Sequence, residues 1–175
     1  MNHIEFVKNL EALGWNIEKK PLHLQELKNN GNEVAQKIAK CETEFIEFIS
    51  SFSVLAKAED NIWFLSTDEY FKENDGEGFA WNEFELQSLE YAEKDEEVKI
   101  KNFWKQHLPF LMSVKNGYAY CAIVLDGDDA GSIVAGNEPE YEDTTKIAGS
   151  LGEFFDVYYE VLTIKSKIPA LTMLV

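Results

Sequence analysis

The chain reads as an α+β protein: a twisted, mainly antiparallel β-sheet laid out as a meander, with helices packed around it. Three observations predict this. Between residues 108 and 155, short apolar, β-branched and aromatic runs alternate with turn signals, first Asn116-Gly117 and then the DGDDAG stretch at 126–131. Asn-Gly and Asp-Gly between such runs are strong short-range hairpin signals. Upstream of this block, apolar residues recur at helical rather than strand spacing. Finally, Ser66 with Glu69 and Ser150 with Glu153 have capping-box spacing, which places helix starts before and after the meander.

Taken in order, Ile4, Val7, Leu10 and Leu13 share a helical face, and Gly14 stops that helix. Pro21 at a first helical position predicts a short second helix over 21–28. Asn29, Asn30, Gly31 and Asn32 make a turn or linker, which leaves 1–30 as a helical extension. Residues 34–50 read as one helix with Ile38, Cys41, Phe45, Phe48 and Ile49 on one face. A short strand over 62–65 leads into the helix capped by Ser66, which Asn74, Gly76 and Gly78 end. Residues 81–92 and 96–104 read as acidic amphipathic helices joined by a charged turn. Strands follow over 110–114, 118–125 and 132–135.

Alternation along 118–125 puts Tyr118, Tyr120, Ala122 and Val124 on one face, with Ala119, Cys121, Ile123 and Leu125 on the other. Both faces are largely apolar, so this strand is expected to be central and covered on both sides. Core packing is expected for Trp63. The helix from Ser150 runs to about residue 161 and buries Leu151, Phe154, Phe155 and Tyr158. The tail, 162–175, either adds an edge strand or covers the sheet.

The chain has 175 residues, 45% of them hydrophobic and 13% aromatic, which predicts a single domain with a substantial core. It contains no apolar run long enough to span a membrane. The N-terminus has no basic region ahead of its apolar residues, unlike a secretory signal. Cys41 and Cys121 form no metal-type spacing, and Cys121 lies within a β run. Free thiols in a reducing, cytoplasmic protein are expected.

The net charge is −16, and all basic residues except the three histidines are lysines. Residues 68–97 hold twelve carboxylates and two lysines, and residues 126–143 hold seven carboxylates and no lysine, so the remainder is close to neutral. Such concentration either keeps a surface solvated or attracts a basic partner and speeds its association. It disfavours nucleic acid, whose phosphates need clustered Lys or Arg.

No constellation points to catalysis or to a cofactor. The 126–131 turn offers Asp126, Asp128 and Gly131 at calcium-loop positions, but Ala130 and Asn137 stand where two ligands are needed. A polar hairpin turn accounts for it better. His3, His23 and His107 are scattered without zinc spacing. Neither a Gly-x-Ser-x-Gly elbow nor a P-loop is present. Carboxylate pairs are inevitable in a chain this acidic, and their spacing places no two of them across one bond. The expectation is a binding protein, neither an enzyme nor a metal protein. The candidate partner-binding residues are Asp126, Asp128, Asp129, Glu138, Glu140, Tyr141, Glu142 and Asp143. Tyr141 is the expected exposed anchor, because nothing periodic surrounds it and tyrosine is a common interface anchor.

The order LPFLMSV, NGYAYCAIVL, GSIVAGNEPEYED, IAGSLGEFF resembles the SUKH superfamily in its Smi/Knr-like branch. Upstream pieces that also resemble it are EFIEFI at 44–49, WFLS at 63–66 and FAWNEFE at 79–85. The resemblance is strongest over 30–160. It departs where the family has Leu-Pro before its first helix and this chain has Lys40-Cys41-Glu42-Thr43. The resemblance implies a binding fold without a reaction. Bacterial members of the family are immunity proteins that neutralise a cognate toxin in the cytosol, often a nuclease, and fungal members are regulators linked to cell-wall synthesis. With the charge described, it implies an acidic protein covering a basic toxin domain, with a regulatory scaffold as the alternative.

Overall fold

The computed structural model describes residues 1–21, 32–72, 79–164 and 167–175. Seven strands form one antiparallel sheet in chain order. They are β1 (Asn16–Lys19), β2 (Phe52–Ala56), β3 (Ile62–Phe64), β4 (His107–Ser113), β5 (Ala119–Val124), β6 (Ile133–Asn137) and β7 (Thr145–Ala148). The expected meander is β4, β5 and β6 of this sheet. The helices are α1 (His3–Ala12), α2 (Glu33–Ile38), α3 (Thr43–Ser50), α4 (Thr67–Phe71), α5 (Glu83–Tyr91), α6 (Glu97–Lys105) and α7 (Leu151–Ile164), followed by a 3₁₀ helix, Pro169–Leu174.

Helix α1 ends in a Schellman arrangement. Gly14 sits at φ +85°, its N–H donates to Glu11, and the N–H of Trp15 reaches back to Leu10. The buried face is Phe6, Val7 and Leu10, whereas Ile4 and Leu13 are exposed. Phe6 thus sets the inward direction, which the four-residue pattern missed.

Residues 34–50 are two helices, not the single helix expected. Asn32 caps α2 by accepting from the Ala35 N–H at 2.9 Å. The chain then turns at 39–42, where Cys41 N–H bonds Ile38, before α3 begins. The apolar spacing runs across the break because both helices face the same core. Strands β1, β2 and β7 were not foreseen; β7 stands where the acidic loop was expected to lead directly into the capped helix. Each is short, and β1 is an edge strand made mostly of exposed residues. The predicted 21–28 helix and the glycine stop at 74–78 lie outside the described residues.

The sheet is packed on both faces. On one side Phe6 of α1 stacks on Phe155 of α7 at 4.2 Å and meets Phe48 of α3 and Phe64 of β3. Each is fully buried, and burial of such a ring is worth about 1.5–3 kcal/mol. On the other side, Phe84 of α5 lies 5.3 Å from Tyr120 of β5, and Trp104 of α6 lies 5.1 Å from the same ring. All six residues of β5 are buried, as its two apolar faces predicted.

Pro109 stands in β4, an interior strand, where it has no N–H to donate. The pairing with β5 shifts between Pro109 and Leu111, and a bulge is where a sheet accepts proline. There the Pro109 carbonyl accepts the Tyr70 hydroxyl at 2.5 Å. The tail covers the sheet, and its described residues add no strand. Leu171 and Leu174 are buried, Ser113 Oγ donates to the Met173 carbonyl, and Tyr158 donates to that of Leu174.

Candidate functional site

The two acidic segments of the meander leave β6 at opposite ends, so they do not form the single face their proximity in sequence suggested. The β5–β6 turn uses Gly127 at φ +87° and Gly131 at φ +85°, conformations that glycine adopts without strain. Its carboxylates are largely engaged within the molecule. All three aspartates are exposed; Asp126 pairs with Lys40 at 2.6 Å and Asp129 with Lys146 at 2.5 Å, and Asp128 has no such pair among the described residues.

The 138–143 loop folds back onto α5 and α6. It begins with a cis Glu138-Pro139 bond. Tyr141, expected as an exposed anchor, is buried at 5% exposure. Its ring lies 4.9 Å from Phe84, its hydroxyl donates to Gln87 Oε1 at 2.8 Å, and its carbonyl accepts from Tyr120. Burial, reinforced by nearby carboxylates with Glu138 foremost, pushes its phenol up to about 12. The aperiodic sequence around Tyr141 concealed a tertiary contact. Glu142 is likewise tied down, its Oε1 accepting from Trp104 Nε1 at 2.6 Å. These two contacts fasten the loop, and they leave Glu138, Glu140 and Asp143 exposed.

Between this loop and the α5–α6 hairpin lies an open groove of about 1180 Å³. Its loop side carries Glu138, Glu140, Glu142 and Asp143. Its helix side carries Glu83, Glu90 and Glu96, and Lys99 is the single lysine among the described lining residues. Among the described residues, no lysine forms a salt bridge with Glu90, Glu138, Glu140 or Asp143. Ala92, Ile100 and Tyr118 supply apolar lining, and Tyr91 lines the groove while 82% exposed.

The helix-side carboxylates fall in the charged 68–97 segment, so the charge excess marked the region without picking out residues. Tyr91 was missed because nothing in the local pattern separates an outward tyrosine from an inward one. This arrangement is suited to holding cationic side chains by charge and apolar contact. Among the described residues no group of three or more His, Cys, Asp or Glu converges to hold a metal ion. No helix among them is long and apolar enough to cross a membrane.

A second cleft, of about 470 Å³, lies over β2 and β3 and is lined by Trp63, Phe79 and Trp81 with Asp60, Glu69 and Lys72. Trp63, expected in the core, is only half-buried, its ring 5.6 Å from that of Phe79. Comparison with protein-family models, with curated proteins and with solved structures finds no match to this chain.

Proposed function

We propose that this protein is a cytoplasmic immunity protein of the Smi/Knr-like branch of the SUKH superfamily. It binds a cognate toxin domain with a basic surface and blocks it by occlusion, without chemistry of its own. The observation that carries this reading is the acidic groove, where carboxylates from α5, from the turn before α6 and from the 138–143 loop face a common space with a single lysine among the described lining residues. A basic nuclease domain presents the complementary charge, because its cleft must bind phosphate. Opposite potentials of this kind speed diffusional encounter and discriminate against other acidic surfaces.

The test uses the protein as bait against the product of the adjacent gene and against the source cell's lysate. Recovery of one toxin domain at stoichiometric yield, with loss of its toxic activity in the complex, is the expected result. Recovery only of envelope-synthesis proteins overturns it in favour of a regulatory scaffold. Charge reversal at Glu90, Glu138, Glu140 and Asp143 is expected to slow association and flatten its salt dependence.

A further inference from the structure

We propose that the groove between the α5–α6 hairpin and the 138–143 loop seats one lysine- or arginine-bearing segment of the partner, with Tyr91 as its apolar anchor; this deepens the binding reading above and rests on it. The shape of the groove carries the inference. Ala92, Ile100 and Tyr118 line it, and Tyr91, the last residue of α5, stands 82% exposed beside them. An exposed aromatic beside apolar lining, ringed by charge, has the make-up of an interface centre with a polar rim.

The walls decide the occupant. Glu90 on the helix side faces the same space as Glu138, Glu140 and Asp143 on the loop side. The 126–131 turn offers no equivalent, since Asp126 and Asp129 are already paired with lysines of this chain. A lysine or arginine suits both parts of the groove. Its methylene stem lies along apolar and aromatic surface while its head reaches the carboxylates. The loop is held in place by Tyr141 and Glu142, so one wall of the seat is formed before the partner arrives, which lowers the ordering cost of binding.

The test uses the full chain and two synthetic peptides of equal charge, one alternating lysine with leucine and one alternating lysine with glycine. Binding is mapped by amide chemical-shift perturbation at near-physiological salt. The expected result has the shifts centred on Tyr91, Ile100 and Tyr118, and the leucine peptide binding more tightly. Tyr91→Ala weakens that peptide roughly tenfold with an unchanged circular dichroism spectrum, and Asp126→Asn leaves it unaffected. Shifts spread evenly over both acidic stretches, or wild-type affinity in Tyr91→Ala, overturn the proposal. A captured toxin whose footprint avoids the groove overturns it too, while leaving the immunity reading intact. A groove that takes the leucine peptide in a protein that captures no toxin supports the seat and removes the immunity reading.

Discussion

Three buried tyrosines fasten irregular backbone to the regular scaffold. Tyr70 of α4 donates to the carbonyl of Pro109 at the β4 bulge, Tyr120 of β5 to that of Tyr141 in the acidic loop, and Tyr158 of α7 to that of Leu174 in the tail, each at 2.5 Å. Each bond needs the phenol protonated, and burial raises all three well above the ordinary tyrosine value near 10. The folded state therefore retains these protons after the unfolded chain has released them, and stability falls as pH rises above the unfolded value. Tyrosinate absorbance followed with circular dichroism is expected to show these three ionising only together with loss of the fold. Their gradual ionisation in a folded protein would contradict the fastening role. Gly136 belongs to the same device. It pairs with Tyr120 across β5 and β6, and a Cβ at Gly136 would stand 2.7 Å from the Tyr120 ring. Gly136→Ala is therefore expected to cost about 1–3 kcal/mol in denaturant unfolding through overpacking. Tyr120→Phe, which keeps the ring and loses the bond, is expected to cost about 1 kcal/mol.

Among the elements, α4 is only five residues long, too short to hold itself together by propagation. Its capping box compensates. Ser66 Oγ accepts from the Glu69 N–H, and Glu69 Oε2 accepts from the Ser66 N–H at 2.7 Å. Ser66→Ala is expected to destabilise by about 1 kcal/mol, measured by thermal or denaturant unfolding, and an unchanged midpoint would show that packing of Tyr70 alone holds the helix. The second box is incomplete. Ser150 accepts from the Glu153 N–H at 3.2 Å, but Glu153 accepts from Gly149 rather than from Ser150. Both helix starts were legible because capping is a local, short-range interaction. The division of 34–50 into α2 and α3 was not, since apolar spacing reports which side faces the core and passes unbroken through a turn between two helices on the same side. Strand β1 escaped for a related reason: a four-residue edge strand with exposed side chains has no period to read.

At the scale of the whole molecule, the net charge of −16 repels itself, and folding brings those charges closer together. Added sodium chloride is therefore expected to raise the thermal midpoint until screening is complete, since the Debye length falls from about 30 Å at 0.01 M to about 8 Å at physiological ionic strength. A midpoint that falls on addition of salt would mean that the internal pairs, such as Lys40 with Asp126, outweigh the repulsion. The same charge is unevenly placed. The β5–β6 turn is partly neutralised by lysines from distant segments, and the groove beside the 138–143 loop keeps its carboxylates facing one space.

The α+β class, the antiparallel meander with its glycine turns, the capped helix starts and the two acidic stretches can all be read along the chain. These rest on backbone conformation, side-chain period and composition, all of which are local. Tertiary structure alone decided which carboxylates act together. It separated the 126–131 turn from the 138–143 loop, drew the loop onto α5 and α6, buried Tyr141 against Phe84 and left Tyr91 exposed. The physical reason is that exposure and pairing depend on what a second element brings to the same place. No window of sequence around Tyr141 or Tyr91 contains Phe84, Gln87 and Trp104 together with the loop they hold.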